Sequence, residues 1–157
     1  MSFEATLTAL CRRVEAMAPG SFAGVTLCDA GRTQIEHAVF PTLAPSFAKA
    51  ITGVPAEPIS FGSCVQAIGT GQPITSEDIE KDARFDPQWK RVCLDHGLRS
   101  IQSRPIFQNG RAVGTFVLAY SEPRSESEWN VTLMKFAADG CEAALSSLLV
   151  SPRPEAG

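Results

Sequence analysis

Apolar positions along the chain change period several times, and each change marks an element. Phe3, Leu7, Leu10, Val14 and Met17 recur at spacings of four, three, four and three. That stripe predicts an amphipathic helix over residues 3–17, stopped by Pro19-Gly20. The same stripe suits a core face or the seam of a helical dimer, and two heptads do not choose between them. Ser21 to Cys28 and Thr33 to Phe40 then read as the two strands of a hairpin, joined through Asp29-Ala30-Gly31-Arg32. Simple alternation puts His37 on the face of Ile35 and Val39, as a partly buried histidine with its needs met.

A short helix over residues 46–52 turns Phe47, Ala50 and Ile51 inward, and Gly53 to Pro58 is a connector. The next stretch, Ser60 to Ile79 (SFGSCVQAIGTGQPITSEDI), is the most densely punctuated part of the chain. Ser63 reads as an N-cap, because its hydroxyl can accept from the free N–H groups of a first helical turn. Cys64 follows at the helix start, Val65, Ala67 and Ile68 form the apolar face, and Gly69-Thr70-Gly71 ends it before a strand over 73–76. The acidic residues 77–82 read as a solvated loop. Asp86 caps a helix over 87–95, with Pro87 at its first position, Trp89, Val92 and Cys93 facing inward, and Gly97 as its stop.

Leu98 to Phe107 alternates Ile101, Ser103, Pro105 and Phe107 against Ser100, Gln102, Arg104 and Ile106. Asn109-Gly110 is the strongest hairpin signal in the chain. The following strand, Ala112 to Tyr120, is the most apolar and is expected at the centre of the sheet, with Gly114 marking a bulge or a close backbone approach. Ser125 and Glu128 have the spacing of a capping box, placed at the head of a long final helix that runs to about Leu149 with Trp129 in its first turn. The expected fold class is therefore α+β, with an antiparallel sheet and the terminal helices together on one face. Residues 3–149 make a single domain, and residues 150–157 are expected to be a disordered tail or a linker.

Composition narrows the function by exclusion. A net charge of −3 without a basic run gives no reason to expect nucleic acid or a membrane surface as partner. No apolar run approaches the ~18 residues of a membrane span. The first residues lack a basic start followed by an apolar block, so the expected location is cytoplasmic. The five cysteines, Cys11, Cys28, Cys64, Cys93 and Cys141, are odd in number and widely spaced. With no CxxC pair and two histidines, no metal or other cofactor is expected, and the cysteines read as reduced, small, buried hydrophobes.

A longer series of short motifs now bears on identity. GSCVQAIGTGQPI is followed by Glu77-Asp78-Ile79, Asp86-Pro87-Gln88-Trp89, Gly97-Leu98-Arg99-Ser100, Ser103-Arg104-Pro105-Ile106, Asn109 to Phe116 and Glu122-Pro123-Arg124. In this order, over about residues 3–149, the series resembles the GAF domain, in the subtype that accompanies histidine-kinase, PAS, GGDEF and EAL domains of bacterial signalling proteins. The resemblance implies a GAF/PAS-like arrangement: a central antiparallel sheet of five or six strands, terminal helices on one face, and short helices with a ligand pocket on the other. It implies a non-catalytic regulatory sensor of an unidentified small-molecule ligand. That sensor would form a parallel homodimer and act on an output domain of kinase, GGDEF or EAL type, fused or in trans. The pocket candidates are Ser63, Cys64, Val65, Gln66, Trp89, Ile101, Ser103 and Arg104. The dimer-interface candidates are Phe3, Leu7, Leu10, Val14, Leu145 and Leu148. Two departures fall on the pocket. Val65-Gln66 stands where relatives commonly carry Gly-Thr, and Ile101-Gln102-Ser103 stands where they often carry Cys-Trp-Ser. The pocket therefore either takes an atypical ligand or is filled by its own side chains.

Three chemistries compete at these residues. A thiol at a helix N-terminus is activated by the dipole, which makes Cys64 a candidate redox sensor against the plainer reading of a cysteine packed under a turn. The same helix start could hold an anion with help from Arg104. Cys93 and His96 lie three apart on one helix, but the Cys-His pair of tetrapyrrole-attaching members is interrupted by Leu94-Asp95. The cyclic-nucleotide signature is absent, and the five cysteines do not match the set of the free methionine sulfoxide reductases that share the fold. The alternatives to a ligand sensor are thus a dimerisation module with a closed pocket and a Cys64 redox switch.

Overall fold

A computed structural model describes residues 2–150. The expected tail over 150–157 lies, apart from residue 150, outside the described residues. The elements run α1 (Phe3–Met17), β1 (Ser21–Cys28), β2 (Ile35–Val39), α2 (Pro45–Ile51), α3 (Ser63–Thr70), β3 (Ile74–Ser76), α4 (Pro87–Asp95), β4 (Ser100–Gln108), β5 (Arg111–Tyr120) and α5 (Val131–Val150), with short 3-10 turns at Ile59–Phe61, Ile79–Lys81 and Glu126–Glu128. The five strands form one antiparallel sheet in the order β2-β1-β5-β4-β3. β5 is central, as its apolar run predicts. The Asn109-Gly110 turn closes the β4–β5 hairpin with positive φ at both residues (54° and 77°), as a type I′ turn requires.

Each face of the sheet carries its own hydrophobic cluster. Under α1 and α5, Ala23, Val25, Leu27, Ile106, Phe116 and Leu118 meet Leu7, Leu10, Cys11, Val14, Met134 and Cys141. Here the stripe of α1 finds its use. Leu7, Leu10 and Val14 are buried against this chain's own sheet and α5, and Leu145 is buried with them. The expected dimer seam is therefore corrected. Of its six residues, only the half-buried Phe3 and the exposed Leu148 keep surface to offer. Gly140 lets the two helices approach closely, since a Cβ there would lie 3.2 Å from Leu10.

The opposite face is covered by α2, α3, α4 and their connectors, and its cluster includes Phe40, Phe47, Val65, Ile79, Trp89 and Ile101. Two glycines make room for aromatic rings on this side. A Cβ at Gly24 would sit 2.1 Å from the Phe40 ring, and one at Gly62 would sit 2.4 Å from the Trp89 indole. Gly114 is a close backbone approach, as read from its strand, because a Cβ there would meet the Thr26 carbonyl oxygen at 2.1 Å.

Four local expectations are revised. The β1–β2 register breaks between Leu27 and Cys28, so that Glu36 is the extra residue of a bulge. Ile35 therefore turns to the α2–α4 cluster while His37 lies exposed opposite Leu27. The acidic loop is not merely solvated. Ile79 is fully buried, Arg99 bridges Asp78 at 3.1 Å and Glu80 at 3.6 Å, and Asp82 accepts from Ser76 and Arg84 at 2.7 Å each. The Ser125–Glu128 capping box closes a 3-10 turn. The long helix starts later, at Val131, where Asn130 Oδ1 accepts from the Leu133 N–H at 3.0 Å, and so Trp129 precedes the helix and packs edge-on against Tyr120.

Candidate functional site

The site expected behind α3 is assembled from three elements and is closed. α3 begins with Gly62 in extended backbone as its cap residue, and Ser63 is already helical. The Ser63 hydroxyl does not cap the helix. It pairs with the Ser103 hydroxyl of β4 at 2.8 Å, and the Cys64 thiol lies 3.7 Å from the same Ser103 oxygen. Gly71, with φ of 68°, ends α3 through an N–H bond to the Ala67 carbonyl. One layer deeper, Thr26 of β1 and Thr115 of β5 face each other across the ladder and share a 2.7 Å hydroxyl bond. Both threonines lie within hydrogen-bonding influence of Cys64. The result is a buried polar cluster of four hydroxyls and one thiol, satisfied within itself, inside an otherwise apolar layer. Burying such groups is tolerable only because they pair with one another.

Alternation along β4 sorts the remaining candidates. Ile101 and Ser103 point into the cluster with Val65, which is buried on the same side. Trp89 is 2% exposed, stacks at a tilt on Phe85 with 4.8 Å between ring centroids, and lies flat against Gly62. It plugs the volume between α3 and α4. Val65, Trp89, Ile101 and Ser103, the candidates at and beside the two departures, are all buried among their own neighbours in this interior. Gln66 is only half-buried. Arg104 does not belong to the group. It pairs with Phe116 in register, on the α5 side of the sheet, and Asp139 of α5 is the charge that bears on it. An anion at the α3 start thus has no guanidinium from Arg104. The lone hydroxyl and thiol at that start are already engaged.

The thiols are unactivated. Burial pushes Cys64 up from its ordinary value, outweighing the hydroxyls of Ser103, Thr115, Thr26 and Ser63 that oppose the rise. Burial likewise raises Cys93, and lifts Cys11 and Cys141 to about 12. A thiolate is what reacts, so the helix start does not make Cys64 a nucleophile in this closed state. Cys93 and His96 also part company. Cys93 is buried, while both His96 ring nitrogens are engaged, Nδ1 with the Val92 carbonyl and Nε2 with the Ser46 hydroxyl at 2.7 Å each. Among the described residues, no group of three or more His, Cys, Asp or Glu side chains is placed to hold a metal ion, and no helix is long and apolar enough to cross a membrane.

Sequence reasoning missed Thr26 and Thr115, and it missed Gly62 as the seat of Trp89. The signal for the threonines was present, since each is the polar residue in the middle of an apolar strand.

Comparison with known proteins agrees with this architecture. The family model of the GAF domain matches residues 1–146. A methyl sulfide methyltransferase-associated sensor of Methanosarcina acetivorans is 28% identical over 128 residues, which are 81% of this chain and 13% of that sensor. The chain thus spans a small part of the length of the curated relative it matches. The GAF domain of a two-component sensor histidine kinase from Bacillus halodurans superposes with a TM-score of 0.70 at 14% identity, covering 96% of this chain and 97% of that one. The free methionine-R-sulfoxide reductase from Neisseria meningitidis, solved with its substrate, gives a TM-score of 0.70 at 18% identity over 93% of this chain and 79% of its own. At such identities the structural likeness is one of fold, and the fold is shared by sensors and by an enzyme.

Proposed function

Because the chain belongs to the GAF domain family, we propose that it is a non-catalytic regulatory module that senses a small molecule between the sheet and the segment 60–104. Its output runs through α1 and α5 to a signalling domain of kinase, GGDEF or EAL type, fused or in trans. The observation that carries this reading is the self-paired cluster of Thr26, Ser63, Cys64, Ser103 and Thr115 beneath the Trp89 plug. The cluster places four buried hydroxyls in an otherwise apolar layer. A small polar ligand that displaces Trp89 would find them ready as donors and acceptors, and its preference for the opened arrangement would shift the balance between two states. Burial that raises the Cys64 and Cys93 thiols speaks against thiolate chemistry at this site. A parallel homodimer would use the exposed Met17, Phe136 and Leu148 rather than the buried stripe of α1.

The test is native mass spectrometry of the purified protein, followed by thermal shift across a panel of amino acids, small carboxylic acids and nucleosides. The expected result is a bound mass or a stabilising compound whose effect is abolished by Ser103→Val. Stabilisation that survives Ser103→Val, or a panel without effect on a protein that carries no bound mass, would count against the reading.

A further inference from the structure

A different cleft opens at the far end of the sheet, away from the Trp89 side. It has a volume of about 440 Å³ and lies where the β1–β2 and β4–β5 turns meet the start of α1 and the end of α5. Its apolar lining is Phe3, Leu27, Val113, Leu145 and Leu148. Its polar rim brings Arg32 and Arg111 together with Asp29, His37 and the amides of Gln108 and Asn109.

The charges of this rim are unbalanced in a specific way. Asp29 is spent on its own turn, where its carboxylate accepts from the Thr33 N–H and hydroxyl at 2.6 Å each and from the Gln34 N–H at 3.2 Å. Those bonds hold it below the usual carboxylate range. Neither Arg32 nor Arg111 has a carboxylate partner among the described residues. The Arg32 Nε is buried without any hydrogen-bond partner, which is costly for a charged donor. Arg32 is also one of two non-glycine residues with positive φ (58°) among the described residues, so the backbone accepts an unfavourable conformation at the residue that brings this guanidinium to the cleft. The volume is in the range of small-molecule sites, and an apolar body with a few convergent polar groups is their usual make-up.

We propose that this cleft binds a small organic anion with an apolar body, its headgroup held by Arg32 and Arg111 and its body laid on Leu27, Val113, Leu145 and Leu148. Guanidinium groups match carboxylate and phosphate alike, and the shared requirement is a planar or tetrahedral oxyanion on an aliphatic or aromatic stem. An occupant would touch α1 through Phe3 and α5 through Leu145 and Leu148. It would therefore clamp the first turn of one terminal helix to the last turns of the other. The site is independent of the Trp89 side and stands or falls without it.

The experiment is a methyl NMR titration of the full chain with octanoate, octyl phosphate and octanol. The expected result is saturable shifts at Leu27, Val113, Leu145 and Leu148, with at least one anion bound about tenfold tighter than the alcohol, as a charge-assisted pair provides. The tighter of the two anions identifies the headgroup class. The variant Arg32→Gln/Arg111→Gln, at side chains that lie partly or largely in solvent, should bind all three probes alike while keeping its spectrum. Equal binding of octanoate, octyl phosphate and octanol by the unaltered protein would overturn the proposal. So would an absence of saturable shifts. Shifts confined to Val65, Ile68 and Ile101 would overturn it too, while supporting the separate reading of the Trp89 side.

Discussion

The face of the sheet under α1 and α5 is covered by helices of 15 and 20 residues. The opposite face is covered by helices of seven, eight and nine residues, with 3-10 turns and connectors between them. Helices below about 12 residues have little stability of their own and exist because their side chains are buried. The first layer is locked by two continuous apolar stripes. The second is a mosaic of short pieces, held by Trp89 on Gly62, Phe40 on Gly24 and the hydroxyl cluster. One sheet thus carries a side covered by two long continuous helices and a side assembled from short pieces, and the sensing site proposed behind Trp89 lies on the second.

The largest test of that contrast is Phe116→Ala. Phe116 is fully buried on the α1–α5 side, and truncation should cost about 3–5 kcal/mol. Urea denaturation should show a lower midpoint with an unchanged slope, since the whole domain depends on that layer. Next is Gly62→Ala, whose methyl would lie 2.4 Å from the indole and should cost about 1–3 kcal/mol by expelling Trp89. Its signature is selective, because alkylation of Cys64 and Cys93 should rise more than that of Cys11 and Cys141. Similar increases at all four would erase the distinction between the faces.

Thr26→Val leaves the buried Thr115 hydroxyl without its 2.7 Å partner and should cost about 1–2 kcal/mol. Thr26→Val/Thr115→Val should recover most of that loss, since replacing both partners by apolar groups is nearly neutral. A double variant as unstable as the sum of two singles would show that the pair does more than satisfy itself.

The smallest expected effect is at Asp82, which ties β3 to the loop before α4. Its bonds from Arg84 and Ser76 lower its pKa from 3.8 to about 2. Because the folded value lies below the unfolded one, its contribution is complete above about pH 4 and is lost as the pH falls toward 2. After allowance for partial exposure this is about 1 kcal/mol. Asp82→Asn should flatten the acid side of the midpoint-versus-pH curve over that window. A parallel curve for the variant would remove Asp82 as an anchor.

Much of this architecture is legible in the sequence where local and tertiary preferences coincide. The α1 stripe, the Asn109-Gly110 turn, the Asp86-Pro87 helix start and the apolar β5 all specify their elements within a few residues. The misreadings come from partners far away in the chain. Ser63 is a good cap by type, but its hydroxyl is taken by Ser103, forty positions on. The bulge at Glu36 exists only through pairing with β1. The Thr26–Thr115 bond spans 89 positions and needs the β1–β5 register. Arg104 is different, because alternation along its own strand already opposes it to Ile101 and Ser103. Grouping it with the pocket followed the motif and ignored the pleat. The α1 stripe was legible as apolar but silent about its partner, since a sheet and a second helix chain demand the same spacing.

Each face of the sheet carries two buried cysteines, Cys11 and Cys141 under the long helices and Cys64 and Cys93 under the short ones, and this makes one measurement decisive. Alkylation under native conditions, followed residue by residue by mass spectrometry, reports the opening free energy around each thiol. Half-buried Cys28 should react first. Cys64 and Cys93 should then react together, well ahead of Cys11 and Cys141, through an opening that leaves α1 and α5 in place. Reaction of all four buried thiols at the single rate of global unfolding would contradict the account, because the Trp89 side would then be as rigid as the helices behind it.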